Sequence, residues 1–381
     1  MTTAARTWRE LADELVTDLR AKGAVRTDAV ADAIRSVPRH RFITGHYATG
    51  PHTTVDPAEP TTDLLALAYT DRGIMTHIPS DAAGGYSSAS QPSIVAKMLE
   101  AAQLKPGMRV LEIGAGTGYN AVLIAYLTGA PVHTIDASEF VVSEARDSIA
   151  RTGIPDVAVH AADGYQGHPA GGPYDLIIVT CGISGIPPAW LDQLAPGGSI
   201  LAPLAHAGMH PLTRITPTTQ HAVGRLVTAA DFMTAVGPLY ATATPSPSTL
   251  GQHLPHPAHV RPGAVPAPLD QRTAYVDLWM YLAGRRRELE GLDVQVTCAS
   301  VQGTSDYTGC TVIADTDAAV YVQPGALHHT EGDAARGLAD QVQQHVADWD
   351  RTGRPALADW TCTLTPAITH QPLLTPSCWS L

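Results

Sequence analysis

The segment Val110–Asn120, with the sequence VLEIGAGTGYN, decides the fold of this 381-residue chain. A short apolar strand is predicted over residues 109–113, three alternating glycines follow, and a helix is predicted over residues 120–127. Glycine is favoured where the backbone turns with positive φ and where a ligand approaches the main chain without a Cβ in the way. The spacing is G-x-G-x-G, not the G-x-G-x-x-G of dinucleotide-binding loops. The segment therefore predicts a strand–loop–helix unit with a ligand-binding loop.

An acidic residue, Glu112, stands two positions before the first glycine of this loop. In a phosphate-binding loop this carboxylate would face an anion, which is electrostatically unfavourable. Facing the ammonium group of a bound amino acid, the same carboxylate would be attractive. The position of Glu112 therefore favours a ligand with a positively charged amino group.

Two more acids follow predicted strands. Asp136 ends a strand predicted over residues 132–135, where a carboxylate can accept hydrogen bonds from a ribose diol. Asp163-Gly164 follows a strand candidate at residues 158–160, where a carboxylate could reach an adenine amino group. Taken singly, Asp136 could be a solvated strand end, Asp163-Gly164 a plain turn, and the glycines a requirement of the turn alone.

The combination of a glycine loop and three acids, without a lysine or a phosphate cradle, fits a nucleoside that carries an amino acid. S-adenosylmethionine has this chemistry, and we predict it as the cofactor. The predicted cofactor-binding residues are Glu112, Gly114, Ala115, Gly116, Thr117, Gly118, Asp136, Asp163 and Gly164.

Strands and helices alternate from residue 91 to about residue 204, which indicates an α/β fold with a parallel sheet and helices on both faces. A closing antiparallel hairpin is predicted from residues 212–216 and 224–227. The predicted helices of this region cover 94–104 and 120–127, and the predicted strands cover 109–113, 132–135, 158–160, 176–179 and 199–201.

We predict four parts along the chain. Residues 1–90 hold two amphipathic helices within 5–44 and then an irregular binding loop, with a short strand near Leu65–Tyr69. Residues 91–237 form the cofactor-binding core, and the proline-dense residues 238–270 read as a linker. Residues 271–381 are predicted as a small α+β domain for substrate binding or assembly, with helices over 274–289 and 334–349.

The formal net charge of −12 argues against nucleic acid as a partner, because an acidic surface repels phosphate backbones. The long uncharged stretches are broken by prolines, which argues against a membrane span. The first ten residues have no apolar segment of a signal peptide, so a cytoplasmic location is expected. The sequence does not indicate an oligomeric state.

Neither cysteine nor histidine spacing predicts a metal. The five cysteines show no C-x-x-C pair, which favours reduced thiols, and Cys181 is predicted to be a small buried residue. His253, His256 and His259 recur every third residue, but they lie in the proline-rich stretch, where rigid coordination is not expected. We therefore predict no metal site.

A family resemblance rests on several short motifs around the glycine loop. The element Ser88-Ala89-Ser90-Gln91-Pro92, followed by a helix and then Val110–Gly118, resembles the protein-L-isoaspartate O-methyltransferase family. The resemblance covers roughly residues 25–237. Its further pieces are Val37–Phe42 (VPRHRF), Pro173-Tyr174-Asp175 and Leu194–Gly198 (LAPGG).

This resemblance implies a Rossmann-like class I methyltransferase fold, S-adenosylmethionine as methyl donor, and an aspartate-type carboxylate of a peptide or protein as acceptor. The family's hydroxyl residue that holds the acceptor carboxylate matches Ser90, and Ser88 lies in the same element. Ser90 could instead cap the following helix, because serine is among the best N-cap residues. Both roles are compatible, since a helix N-terminus attracts anions.

Two departures from the single-domain family members bear on the substrate. The chain has a long insertion over residues 45–87 and a C-terminal extension. The segment Ser87–Ser93 (SSASQPS) and this extension look more like a branch that accompanies lanthipeptide and graspetide maturation. That branch implies O-methylation of an ordinary aspartate in a ribosomally made modified peptide, with possible closure to an aspartimide. The alternatives are repair of isoaspartyl residues in aged proteins and a non-catalytic, cofactor-binding partner subunit.

Overall fold

A computed structural model describes most of the chain. The described residues are 6–48, 50–79, 86–154, 156–218, 222–230, 232–240, 257–266, 272–285, 295–297, 310–313, 318–323, 325–367 and 371–381.

The helices within these residues are Trp8–Ala21 (α1), Asp28–Ser36 (α2), Thr62–Ala68 (α3), Pro92–Ala102 (α4), Tyr119–Thr128 (α5), Glu139–Ala150 (α6), Pro188–Leu191 (α7), Arg272–Gly284 (α8) and Asp333–Arg351 (α9). The strands of the first half are Gly45–His46 (β1), Thr53–Thr54 (β2), Ile74–His77 (β3), Ser87–Ala89 (β4), Val110–Ile113 (β5), Val132–Asp136 (β6), Val157–Ala161 (β7) and Tyr174–Val179 (β8). The later strands are Leu194–Pro203 (β9), Leu212–Pro217 (β10), Ala222–Thr228 (β11), His259–Pro262 (β12), Gln295–Thr297 (β13), Cys310–Ile313 (β14), Ala319–Gln323 (β15), Ala326–His329 (β16), Thr361–Ala367 (β17) and Leu373–Ser380 (β18).

A mixed central sheet of nine strands has the order β18-β17-β11-β10-β9-β8-β5-β6-β7. Strands β9, β8, β5, β6 and β7 run parallel, and the pairs from β9 to β18 run antiparallel. This arrangement confirms the α/β, Rossmann-like prediction, including the hairpin that closes the parallel part. Parallel pairing brings the carboxyl ends of β5, β6 and β8 to the same edge.

The N-terminal helices form as their amphipathic pattern predicts. Thr7 and Glu10 make a reciprocal capping box at α1, and Leu11, Leu15 and Leu19 are buried on one face. Glu100 of α4 accepts hydrogen bonds from the backbone N–H groups of Arg26 and Thr27, at 2.8 Å each, just before α2. These bonds attach the N-terminal helices to the core.

The segment at residues 65–69, predicted as a strand, is part of helix α3, so that prediction was wrong. Thr61 caps α3 by accepting a hydrogen bond from the N–H of Leu64 at 3.2 Å. Leu64 and Ala68 are buried one helical turn apart, which is the helical period. The surrounding insertion also holds β1 to β4 in two short antiparallel pairs.

The C-terminal part is an α+β unit that shares the central sheet. A second, antiparallel sheet has the order β12-β16-β15-β14-β13, and buried side chains of β15, α8 and α9 form one apolar cluster. The final hairpin β17–β18 instead pairs with β11, with Ala222 opposite Leu364. Strand β12 lies inside the stretch predicted as a linker, while residues 241–256 of that stretch and the end of the predicted helix 274–289 lie outside the described residues. The four-part division stays a prediction.

Two further observations concern the described residues alone. None of their helices combines the length and apolarity that crossing a bilayer requires. Cys181, Cys362 and Cys378 are free thiols, and Cys298 lies outside the described residues.

Candidate active site

A cavity of about 160 Å³ opens at the carboxyl ends of β5, β6 and β8. Ligands of open α/β sheets bind in this place. The structure brings together nearly all predicted site residues as lining of this cavity, namely Ser88, Ser90, Glu112, Gly114, Ala115, Gly116, Thr117, Asp136, Asp163 and Gly164.

Gly118 is the predicted residue that does not line the cavity. It is the N-cap of α5 with a φ of 84°, and a Cβ there would lie 3.0 Å from the side chain of Ile149. Gly114, with a φ of 97°, leaves no room for a side chain either, because a Cβ would lie 2.5 Å from Oγ1 of Thr180. Gly116, with a φ of 51°, lines the cavity, and a Cβ there would make only ordinary contact with the Ser88 carbonyl oxygen at 3.7 Å. Of the three loop glycines, Gly116 therefore gives a ligand close access to the backbone.

Glu112 is completely buried beneath the loop. Its carboxylate accepts hydrogen bonds from Thr134 Oγ1 at 2.6 Å and Asn120 Nδ2 at 2.7 Å. Burial raises the pKa of Glu112 to about 7, although these two hydrogen bonds lower it; the nearby Asp136 raises it further. A cationic ligand in the cavity would favour the ionised form.

Asp136 and Asp163 are held by backbone donors. Asp136 accepts hydrogen bonds from the N–H groups of Ser138 at 3.1 Å and Gly116 at 3.3 Å, while burial raises its pKa. Asp163 accepts from the N–H of Tyr165 at 2.9 Å and so begins a 3₁₀ turn, Gly164–Gln166, while also lining the cavity. The hydroxyl of Tyr165 donates to the carbonyl of Pro372 at 2.8 Å, which connects this turn to the β17–β18 hairpin.

The charge of the cavity fits S-adenosylmethionine and not a phosphate ligand. Three carboxyl groups line it, and no lysine, arginine or histidine belongs to its described lining. An amino acid attached to a ribose and a purine offers an ammonium group, a sulfonium, a diol and an exocyclic amine, each of which a carboxylate can bind.

Ser88 and Ser90 line the same cavity. The N-cap residue of α4 is Gln91, whose side chain makes no capping bond, so Ser90 does not cap this helix. Arg39 fixes the Ser90 backbone: its guanidinium is fully buried and donates to the carbonyls of Ser90 at 2.9 Å and Ala89 at 3.1 Å. It also donates to the carbonyls of Ala68 and Arg72.

Sequence reasoning missed several residues that line the cavity. Thr180 follows β8 and could have been found by the strand-end rule that identified Asp136. Ser87 is buried beside the predicted serines, where it accepts a hydrogen bond from Thr76 at 3.3 Å. Asn120 lies in the glycine-loop segment but was not singled out, and no motif pointed to Tyr86, Met233, Thr234, Ala235, Val236 and Leu239. Cys181, predicted as a small buried residue, is only partly buried and lines the cavity, and desolvation raises the pKa of its thiol to about 12.

A second cavity, of about 340 Å³, adjoins the first on the side of the serines. The two share Ser87, Gly116 and Thr117. The rest of its wall comes from the insertion and from α6, including His52, His77 and Glu144 with Thr44, Tyr47, Thr54, Phe140 and Ser148.

Fold and site together define a class I, Rossmann-like methyltransferase. A model of the family described as protein-L-isoaspartate(D-aspartate) O-methyltransferase matches residues 10–238. The chain belongs to this family, and it is an S-adenosylmethionine-dependent methyltransferase.

Relatives agree with the family assignment. The protein-L-isoaspartate O-methyltransferase of Pyrococcus horikoshii is 36% identical over 186 residues, which are 49% of this chain and 74% of the relative. That of Hyperthermus butylicus is 34% identical over 241 residues, 60% of this chain and 90% of the relative. A solved protein-L-isoaspartate O-methyltransferase has a TM-score of 0.54 at 22% identity, with 96% of this chain and 99% of that chain covered. The likeness to this solved structure shows a shared fold that includes most of the C-terminal part.

Proposed function

We propose that this chain transfers a methyl group from S-adenosylmethionine to the side-chain carboxylate of an isoaspartyl residue in a peptide or protein. The observation that carries the proposal is the placement of Ser88 and Ser90 in one cavity with Glu112 and Asp136. Repair of aged proteins, which the sequence left as the alternative, is now the better-supported function. The C-terminal extension had favoured peptide maturation, but a solved isoaspartate methyltransferase has a similar overall fold.

The cavity residues divide the binding of the two substrates between them. Glu112 would hold the ammonium group of the methyl donor, Asp136 its ribose and Asp163 its adenine, with Gly114, Ala115, Gly116, Thr117 and Gly164 forming the surrounding wall. Gly118 would act indirectly, by allowing α5 to begin where it does. Ser90, with Ser88 beside it, would donate a hydrogen bond to the acceptor carboxylate.

The chemistry requires alignment more than acid–base groups. A carboxylate with a reference pKa of about 3.9 is already ionised at neutral pH and needs no general base. When bound, the donor supplies a methyl group on a sulfonium: the carbon–sulfur bond breaks, its electron pair stays on sulfur, and a carbon–oxygen ester bond forms. Holding the oxygen in line with the methyl group can be worth an effective molarity of about 10⁵–10⁸ M. Ser90 would supply this orientation.

The test compares an isoaspartyl peptide with its aspartyl isomer, using methyl-labelled donor. We expect the isoaspartyl peptide alone to be methylated. Ser90→Ala should lower kcat by about 100-fold, the usual effect of removing one hydrogen-bond donor in an active site, while donor affinity stays unchanged. Ser36→Ala is the matched control, because Ser36 bonds Tyr126 at the surface. Equal labelling of both isomers, or full activity of Ser90→Ala, would contradict the proposal.

A second candidate acceptor is an ordinary aspartate of a ribosomally made modified peptide. The cavity beside Ser87, built largely from the insertion, favours it, since this space could take a bulky or constrained acceptor. The backbone nitrogen of the following residue could then attack the ester, lose its proton and expel methanol, which forms an aspartimide. Methylation of such a precursor together with inactivity on a linear isoaspartyl peptide would establish this function instead. Inactivity on both the modified precursor and the linear isoaspartyl peptide would favour the third alternative, a non-catalytic partner subunit that binds the cofactor.

A further inference from the structure

Three histidines converge at a place separate from the active-site cavity. His133 lies on β6, His160 on β7 and His168 just before the 3₁₀ turn Pro169–Gly171. One ring nitrogen of each lies within 4.8 Å of the others. None of the three lines either cavity.

We propose that His133, His160 and His168 form a binding site for a divalent transition-metal ion, with Zn²⁺ as the fitting example. Two nitrogen ligands of a tetrahedral zinc ion lie about 3.3 Å apart, because each Zn–N bond is about 2.0–2.1 Å long. Nδ1 of His133 and Nε2 of His160 are 3.1 Å apart. A hydrogen bond could explain this pair, but it does not explain the approach of the third ring.

The backbones that carry these rings are fixed before any metal binds. His133 and His160 belong to paired parallel strands. At His168, the N–H donates to Gln193 at 2.8 Å and the carbonyl accepts from the Tyr174 hydroxyl at 2.7 Å. The rings of His160 and His168 are stacked with their centroids 4.2 Å apart, so one ring must rotate about its side-chain bonds to share an ion with the other.

The protonation state of the cluster suits coordination. Burial lowers the pKa of His133 and of His160, and positive charge at His168 would lower both further. Neutral imidazole is the form that binds metals. His133 and His160 therefore favour the form with a nitrogen lone pair, and within the described part of the chain no carboxylate or thiolate joins the three rings.

Neighbouring charges set the choice of ion. Arg109 faces His133 and Arg146 faces His160, so the local field repels cations. Binding must therefore come from nitrogen coordination, which suits Zn²⁺ and Co²⁺, while Mg²⁺ and Ca²⁺ prefer oxygen ligands. Three imidazoles leave a fourth tetrahedral position for water.

The location suggests what the ion would do. Strand β7 ends the order of the described central sheet, so only β6 supports it on that sheet. An ion held by His133, His160 and His168 would join β7 to β6 and to the segment that leads into β8. A site of this kind stabilises the sheet edge and is independent of methyl transfer.

The test is calorimetric titration of the full chain, dialysed against EDTA, with ZnCl₂. We expect one Zn²⁺ per chain and no binding of Mg²⁺. His160→Gln and His168→Gln should each weaken Zn²⁺ binding at least about 100-fold, because even changes to residues behind the ligands cost 10–100-fold. His259→Gln is the matched control, since His259 contacts a single histidine ring, that of His329, at 5.0 Å. Its Zn²⁺ affinity should equal that of the unaltered chain.

Circular dichroism and uptake of S-adenosylhomocysteine would show that each variant is folded. Should a variant fail to fold, Co²⁺ added to the unaltered chain still decides the matter. A visible spectrum of tetrahedral nitrogen coordination is expected, and its absence would overturn the proposal. So would a lack of Zn²⁺ uptake, or equal loss of affinity in His259→Gln.

Discussion

Glu112 carries a carboxyl group whose pKa burial raises to about 7 from an ordinary value of 4.5. Before the donor binds, the ionised form is therefore held at a cost in folding free energy. A bound cation would offset this cost, so the same residue that weakens the free protein would strengthen its complex. Active-site residues commonly lower the stability of the free protein in this way.

Replacing Glu112 by Gln should separate stability from binding. Because the folded-state pKa lies above the unfolded value, the penalty for ionisation is small at pH 5 and complete above pH 7. Glu112→Gln should therefore raise the free energy of unfolding at pH 8 by about 2–3 kcal/mol, with little change at pH 5. Thermal melting at both pH values, without donor, measures this difference. A lower Tm at pH 8 would show that the lost carboxylate hydrogen bonds dominate.

The same variant should bind S-adenosylhomocysteine, which retains the ammonium group, much more weakly than the unaltered chain. Unchanged affinity would mean that the ammonium group is bound elsewhere.

At the scale of elements, the sequence predicted the parallel strands and the hairpin well, because short apolar runs bounded by glycine or acidic residues are typical of buried strands. It misjudged α3, whose seven residues are too few to show a helical period clearly. It also did not single out α6, Glu139–Ala150, whose exposed Phe140 and mixed polar face dilute the pattern. Site residues at strand ends were predictable, while those contributed by residues 233–236 depend on how distant segments pack.

Arg39 joins α3, β4 and the serine element by donating to four backbone carbonyls from a fully buried position. Burial lowers the pKa of its guanidinium to about 10, so it stays charged at neutral pH. Arg39→Met should reduce the free energy of unfolding by at least about 3 kcal/mol, since several buried carbonyls would lose their donors at about 1–3 kcal/mol each.

Urea denaturation measures this loss, and Arg35→Met, which removes two surface ion pairs, is the control. A variant that still folds should lose acceptor methylation more than donor affinity, because Arg39 contacts Ser90 and not the glycine loop. Equal urea midpoints for the two variants would show that the hydrogen bonds of Arg39 do not stabilise the fold as predicted.

At the scale of the whole molecule, the C-terminal hairpin β17–β18 extends the central sheet of the core. Composition suggested a separate C-terminal domain, because the proline-rich stretch before it looks like a boundary. The pairing of β17 with β11 joins residues far apart in the sequence, and local sequence patterns do not reveal such long-range pairings. Cys362, Leu364 and Leu373 of the final hairpin are buried in the cluster that also contains core strands β5 and β8.

Truncation before β17 should therefore expose the edge of β11 and cause aggregation, because an uncovered strand edge pairs with other chains. Static light scattering of a chain ending at residue 358, against the full chain, measures this. Adding Val223→Lys on the uncovered strand should partly restore the soluble form, since charge at an edge opposes pairing. A truncated chain that stays monomeric and binds donor would show that the core folds independently.

The bond from Tyr165 to Pro372 couples the Asp163 side of the cavity to the terminal hairpin. Coupling free energies are reciprocal. If the hairpin stabilises the cavity wall around Asp163, a ligand bound against that wall must stabilise the hairpin by the same free energy. Amide protons of β18 should then exchange more slowly once the donor is bound. By the same linkage, proteolytic cleavage of the hairpin should weaken donor binding and so lower methyltransferase activity.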